Sequence, residues 1–245
     1  IQGLLQKLAD RSLAMPTESQ ILLVKTLLSA LELAEIEERP TVFSALTSAT
    51  RGEKAQAAAV GKLESLTVDA KRSKLLRAES VGWLVEHGPW PYPLVLGSKL
   101  SRELTLRTTF AKALGKTLHC VGPQDPRWSS IQDELRRPGR DPAWFVLLGE
   151  GLVDAQAGCP SEESRRDLAE KLGGLWTQLE SLAGDEAGFA LRYRLVGALA
   201  KLDLSTTAPL VLTILRQEKE PELRQLSARA IGRSRTVDLD GVRCA

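Results

Sequence analysis

The chain has 245 residues, of which 43% are hydrophobic and 26% charged, and its formal net charge is +2. These values are ordinary for a folded domain and exclude a largely disordered chain. The nearly balanced charge gives no strong field that would attract nucleic acid or an anionic membrane surface.

Amphipathic helical periodicity runs through most of the chain. Aromatic residues make up only 4%, while Leu and Ala dominate, so strand-forming residues are scarce. Apolar residues recur every three or four positions in nine segments, which predicts an all-α fold. In chain order these segments cover residues 18–33, 55–66, 73–87, 104–116, 143–155, 165–182, 189–202, 208–217 and 221–233.

Helix-start signals support several of these boundaries. Thr17 followed by Gln20 predicts a capping box ahead of the first segment. Asp125 and Asp141 each stand directly before a proline, which predicts an N-cap followed by proline at the first helical position. The signal at Asp125 predicts a further short helix near 128–137.

One of the larger breaks between predicted helices lies at 87–98, where three prolines surround Trp90 and Tyr92. Proline fixes the backbone and opposes helix formation, so this stretch is predicted to be an extended loop. Aromatic side chains on a rigid loop lose little entropy on binding and commonly anchor interfaces. Trp90 and Tyr92 are therefore candidate partner-binding residues, although they would equally serve as a plug pinned onto the helices.

The cysteines and histidines predict no reactive or metal-binding site. Cys120, Cys159 and Cys244 form no CxxC motif and have no nearby histidine pair, which argues against a disulfide framework or structural zinc. His119 precedes Cys120, but adjacent helical residues point about 100° apart and do not face each other. We predict no catalytic residue, no cofactor and no metal ligand.

No membrane-spanning or targeting segment is predicted. A transmembrane helix needs roughly 18 uninterrupted apolar residues, and the most apolar stretch, at 21–33, carries Lys25 and Glu32. No basic segment precedes it, which argues against a signal peptide and favours the cytoplasm. Because the chain opens on Ile1 without a methionine, we expect it to be a segment of a longer protein.

One residue pattern recurs in four copies. Each copy has Leu-Arg, five further residues, then a small residue or Trp, and then Leu or Ile. Positions i, i+7 and i+8 share one helical face, so we expect the leading Leu and the last two residues to be buried together. The clearest repeats lie within 70–117 and 185–235, with a weaker copy at 144–152. The leading pairs are Leu76 and Arg77, Leu106 and Arg107, Leu191 and Arg192, and Leu223 and Arg224.

The stretch 208–233 resembles a unit of the HEAT-repeat family, in the short form first named for phycobilisome lyases. Pro209 is placed to open its first helix and Pro221 its second, and Arg224 and Gly232 fall where that family favours arginine and a small residue. The resemblance implies an α-solenoid of stacked antiparallel helix pairs, a HEAT-like superhelix formed by 1–245 as a single domain. It also implies a scaffold that binds a partner along one face.

The arginine that recurs at one repeat position has two interpretations. Arg77, Arg107, Arg192 and Arg224 would form a basic ladder for phosphates if their side chains reached solvent. The favoured interpretation is structural: each stem covers apolar surface while its guanidinium group bonds a turn carboxylate or carbonyl.

A second basic group lies at the end of the short helix predicted near 128–137 and directly after it. Arg136, Arg137 and Arg140 are close together in the chain. They are candidates for contact with a phosphate or a partner, although most short charge runs form a solvated face.

The leading functional hypothesis is a non-catalytic helical-repeat scaffold that mediates protein–protein interaction within a larger protein. A nucleic-acid-binding HEAT-like domain is the second hypothesis, and the near-neutral charge argues against it. The third is the repeat region of a multidomain lyase or c-type cytochrome protein, although residues 1–245 contain no CxxCH motif. The sequence predicts neither the partner nor the oligomeric state.

Overall fold

The computed structural model describes residues 15–100, 103–118, 124–137, 141–156, 172–173, 186–200 and 204–232, together with positions 7, 139, 163 and 176. All regular elements among these residues are α-helices, and none of them is in a strand. The predicted all-α class is therefore confirmed for the described part of the chain.

Eleven helices lie within the described residues. They are α1 (Thr17–Leu33), α2 (Arg39–Ala49), α3 (Glu53–Val68), α4 (Lys74–His87), α5 (Tyr92–Leu100), α6 (Leu104–Thr117), α7 (Pro126–Arg136), α8 (Pro142–Gln156), α9 (Glu186–Leu199), α10 (Leu204–Gln217) and α11 (Pro221–Gly232).

The two aspartate–proline signals do mark helix starts. The Asp125 side chain accepts a hydrogen bond from the Arg127 amide at 2.8 Å, and the Asp141 side chain accepts one from the Ala143 amide at 2.9 Å. In both cases the carboxylate pairs with an amide in the first turn that has no partner within the helix. The predicted starts of α7 and α8 are confirmed.

The predicted capping box at Thr17 is wrong. Thr17 is the first helical residue, Pro16 occupies the N-cap position, and no side chain caps this end of the helix. The Gln20 side chain instead donates a hydrogen bond of 3.2 Å to the Met15 carbonyl. Gln20 thus ties the helix to the chain that enters it, without the threonine.

The extended loop predicted for 87–98 is also wrong. Only residues 88–91 are non-helical, and α5 begins at Tyr92. Pro93 is the second residue of this helix, where its missing amide hydrogen would have had no helical partner in any case. Proline therefore marks the entry of a helix here.

In α10, by contrast, a proline lies inside the helix and does not mark its start. Pro209 was expected to open this helix, yet the helix begins at Leu204 and Pro209 lies inside it. A proline there deprives the carbonyl four residues earlier of its helical hydrogen bond. The burial of Val211 and Ile214 on the same helix provides the packing that offsets this loss.

Helix α2 was not predicted from the sequence. Its apolar stripe consists of Val42, Ala45, Leu46 and Ala49, all of which are buried. This is regular helical spacing, but only four positions contribute and two of them are alanine. A stripe so short gives a weak sequence signal, and the tertiary contacts of α2 stabilise it instead.

Contacts divide the chain into two compact units, residues 1–93 and 94–245. In the N-terminal unit α1 packs against both α2 and α3, and α3 packs against α4. Helices α1 and α2 thus form one pair and α3 and α4 the next. The first helices of the two pairs pack side by side, and each also packs against the second helix of its own pair. The single continuous domain expected over 1–245 stays a prediction.

In the C-terminal unit α6 packs against α8, α8 against α9, and α9 against α11, while α10 packs against α11. Glycines allow a close approach between α6 and α8. A methyl group on Gly115 would lie 2.9 Å from Asp154 Cβ and 3.2 Å from the Gly151 carbonyl oxygen. Helices α6 and α8 thus cross almost backbone to backbone.

The recurring leucine pattern does form a buried stripe. Leu76, Leu106 and Leu223 are buried, and Leu191 is half-buried. The last two residues of every copy are buried as well, and these are Trp83, Leu84, Ala113, Leu114, Ala198, Leu199, Ala230 and Ile231. Among the described residues, no helix combines the length and apolarity needed to cross a bilayer.

Candidate functional site

Trp90 and Tyr92 lie in the N-terminal unit and are half-buried. The Trp90 indole nitrogen is enclosed and has no hydrogen-bond partner among the described residues. Burial raises the pKa of the Tyr92 hydroxyl, and the nearby carboxylate of Glu64 raises it further. The polar tips of both aromatic residues thus point inward, as expected if the two side chains form a plug against the helices.

Two of the recurring arginines serve helix ends. Arg77 is buried, and its Nε donates a 2.8 Å hydrogen bond to the Thr67 carbonyl at the C-terminus of α3. Arg192 is only 2% exposed and forms an ion pair with the carboxylate of Glu218 in the turn before α11. A cation at a helix C-terminus also complements the helix dipole.

Arg107 is also buried, and its charge is attracted by the carboxylates of Glu150 and Asp141. It is 8% exposed, and its Nε and Nη2 find no hydrogen-bond acceptor among the described residues. Burial lowers the pKa of its guanidinium group and the positive charge of Arg194 adds to the lowering, while the negative charges of Glu150 and Asp141 oppose it. Arg224 differs again because it is exposed, so the four positions do not form one accessible ladder.

Arg136 and Arg137 lie at the end of α7 in the C-terminal unit and are exposed. Arg137 pairs with Glu134 at 3.4 Å, while Arg140 lies outside the described residues. These arginines and the Trp90–Tyr92 pair therefore belong to different compact units.

A cleft of about 350 Å³ lies between α2 and α4 within the N-terminal unit. Sequence reasoning did not predict it, and we call it the α2–α4 cleft. Its apolar and neutral lining residues come from both helices, and carboxylates from α4 complete it. The lining residues are Pro40, Phe43, Ser44, Thr47, Glu79, Gly82, Trp83, Glu86 and His87.

Trp83 forms the floor of the cleft. Its side chain is 5% exposed, and its indole N–H donates a 2.9 Å hydrogen bond to the Thr47 hydroxyl across the cleft. The His87 ring packs on the same indole, with ring centroids 5.3 Å apart at 50°. The Gln56 side chain in turn donates a 2.7 Å hydrogen bond to the His87 carbonyl. The floor is therefore held in place without a ligand.

Acidic side chains mark the α4 side of the cleft. Glu79 pairs with Arg39 at 3.5 Å, which is long for a direct ion pair. Burial raises the pKa of the Glu79 carboxyl, and Arg39 lowers it only in part. Glu86 lies seven residues further along α4, two helical turns away on the same face. The carboxylates therefore flank Trp83 along the helix.

The spacing of these residues contains the signal that the sequence analysis missed. Glu79, Trp83 and His87 follow one another at intervals of four, and Glu86 falls on the same helical face. On α2, Phe43 and Thr47 are likewise four residues apart. The pattern indicates a cleft only once α2 is recognised as a helix, because residues of both α2 and α4 line the cleft.

The described residues contain no group of three or more His, Cys, Asp or Glu side chains arranged to hold a metal ion. His119 and all three cysteines lie outside those residues. No protein-family model matches the chain, and no curated protein or solved structure is significantly similar to it. The function is therefore inferred from the residues of this chain alone.

Proposed function

We propose that the chain is a non-catalytic helical-repeat scaffold of the HEAT-like type, which binds a protein partner through the α2–α4 cleft. The packing order of the helices supports the repeat arrangement. Helices α6, α8, α9 and α11 contact one another in sequence, and each carries a copy of the recurring pattern, weak in α8. Stacking of equivalent helices is how repeat proteins enclose their apolar stripes.

The α2–α4 cleft is the observation that carries the binding proposal. It is concave, largely apolar and bounded by a few polar groups, which is the usual composition of a recognition site. Its floor is preorganised by the bond between Trp83 and Thr47, so a partner would lose little free energy in ordering it. Trp83 is also of a residue type enriched among binding hot spots.

Burial of the recurring arginines weighs against nucleic-acid binding as the main function. Arg77, Arg107 and Arg192 are each at most 8% exposed, and a phosphate would have to displace packed helices to reach them. Among the described residues of the two predicted basic groups, Arg136, Arg137 and Arg224 are exposed, and three phosphate contacts would give only a modest salt dependence.

Blocking the cleft tests the proposed function. Ser44 lines the cleft and is exposed, so Ser44→Trp fills the space without replacing a core residue. In quantitative affinity capture from an extract of the source cells, we expect at least one protein to be retained by the native chain and reduced at least tenfold by Ser44→Trp.

Ser65→Trp is the matched control, because Ser65 is an exposed serine on α3 that does not line the cleft. The control should retain every protein that the native chain retains. If no protein distinguishes Ser44→Trp from Ser65→Trp, the cleft is not the binding surface and the proposal fails.

A further inference from the structure

We propose that the α2–α4 cleft receives an arginine side chain from a segment of the partner protein. This inference rests on the proposed function and specifies the chemistry of its ligand. The charge, the aromatic surface and the size of the cleft each favour such a ligand.

The α4 side of the cleft is acidic and complements a positively charged ligand. Glu79 and Glu86 both line the cleft, about 10 Å apart along α4 at a rise of about 1.5 Å per residue. Arg39 approaches Glu79 only to 3.5 Å and bonds the Ala34 carbonyl with its Nε. Its charge therefore offsets the burial of the Glu79 carboxylate only in part. A cation entering the cleft would complete this compensation.

The cleft is also lined by aromatic rings. Phe43 is half-buried at the rim of the cleft, and the Trp83–His87 pair forms its floor and end. Cations are attracted to the faces of aromatic rings, and the planar guanidinium group of arginine also stacks on them. Carboxylates beside aromatic rings thus favour a flat cation over a neutral apolar side chain.

The volume of the cleft limits the size of its ligand. The volume of about 350 Å³ is near the lower end of the range of about 300–1,000 Å³ typical of ligand pockets. This space suits one long side chain better than a cofactor or a folded element. Arginine is preferred over lysine because it is more weakly hydrated and its fork of donors pairs with carboxylates in a bidentate manner.

Short synthetic peptides test the inference on the whole chain. The probes are acetyl-Gly-Ser-X-Ser-Gly-amide, where X is arginine, citrulline, lysine or leucine. Binding is followed by the NMR signal of the Trp83 indole N–H, which is assigned with Trp83→Phe. We expect saturable shifts with the arginine peptide and at least tenfold weaker binding of the citrulline peptide, which has nearly the same shape but no charge.

Variants of the protein provide the second readout. Glu79→Gln combined with Glu86→Gln should weaken the arginine peptide at least tenfold. Glu18→Gln combined with Glu222→Gln removes the same net charge from exposed positions that do not line the cleft and should leave the affinity unchanged. The citrulline comparison uses the native chain, so the test remains decisive even if the cleft variant folds poorly.

The outcomes separate this inference from the proposed function. Equal binding of arginine and citrulline peptides, tighter binding of leucine or lysine, or no shift with any peptide would overturn the arginine assignment. If Ser44→Trp nevertheless abolishes capture of a partner, the scaffold function stands with a different ligand chemistry. If capture is also unaffected, both proposals fail.

Discussion

At the scale of single residues, one sequence position has several physical roles. The recurring arginine bonds the C-terminus of α3 at Arg77 and pairs with a turn carboxylate at Arg192. At Arg107 it is buried with no hydrogen-bond acceptor for Nε or Nη2, and at Arg224 it is exposed. The repeat pattern fixes the position of the arginine on its helix. The neighbouring helix ends determine which groups its guanidinium group can contact.

This difference predicts opposite effects of the same substitution. Arg77→Met should lower the free energy of unfolding by about 1–3 kcal/mol, because the Thr67 carbonyl loses its buried hydrogen-bond donor. Arg107→Met should leave stability unchanged or raise it by about 1 kcal/mol, since methionine fills similar space without a buried charge. Urea denaturation of the two variants and the native chain measures both effects.

Each arginine variant is the control for the other, because both replace a buried arginine in the same repeat position. An equal loss of stability in the two variants would show that Arg107 has stabilising contacts beyond those described above.

Two glutamates in the N-terminal unit predict opposite pH dependences. The hydrogen bond from Lys62, at 2.6 Å, lowers the pKa of Glu32, and the charges of Lys62 and Arg72 contribute. A lowered pKa means that the ionised carboxylate stabilises the fold above its unfolded-state pKa, and that this stability is lost as pH falls through the folded pKa. Glu32→Gln should therefore cost up to about 1 kcal/mol at pH 7 and nothing in acid.

Glu79→Gln is the comparison for this prediction. Burial raises the pKa of Glu79, so the native chain loses stability as pH rises through the folded pKa of this group, and the glutamine variant does not. Thermal melts between pH 3 and 7 should show the stability difference between variant and native chain changing in opposite directions for Glu32→Gln and Glu79→Gln. Parallel trends would contradict the assignment.

At the scale of helices, close packing in the C-terminal unit depends on glycine. Gly97 in α5 lies against the rings of Phe110 and Trp144, both fully buried and 5.6 Å apart between centroids. A methyl group at Gly97 would be 2.3 Å from the Trp144 ring and 2.5 Å from the Phe110 ring. Buried rings in a close-packed core have little room to retreat.

Gly97→Ala should therefore destabilise the protein by about 1–3 kcal/mol or more through overpacking. Gly61→Ala is the matched control, because Gly61 is exposed in the interior of α3 and an added methyl group would meet nothing within 4 Å. The control should be stabilising by about 0.5–1 kcal/mol, since alanine is the better helix former. Thermal unfolding measures both, and a tolerated Gly97→Ala would contradict the predicted clash.

Helix prediction succeeded where the apolar stripe was long or the cap was explicit, and failed where neither held. The stripe of α4 and the Asp125 and Asp141 caps identified their helices directly. Helix α2 has a short stripe rich in alanine, and proline was interpreted as a loop signal at Pro93 although the first helical turn accepts it. The first failure reflects stabilisation of α2 by tertiary contacts, and the second a local signal that fits a helix start as well as a loop.

At the scale of the whole molecule, composition and periodicity predicted the helical class but not the candidate site. The α2–α4 cleft requires two helices from separate parts of the N-terminal unit, and one of them was missed. Trp83 was recognised only as an unusual residue in a repeat. Its hydrogen bond to Thr47 depends on distances that no spacing along the chain specifies.

The position of Trp83 also gives the molecule an intrinsic optical reporter. An indole that is 5% exposed, hydrogen-bonded to Thr47 and packed against the tilted ring of His87 emits from a largely buried, defined environment. Anything that enters above it alters the polarity and the quenching groups around that fluorophore. Subtracting the emission of a Trp83→Phe variant isolates this signal from the other tryptophans, so occupancy can be followed in dilute solution without attaching a dye.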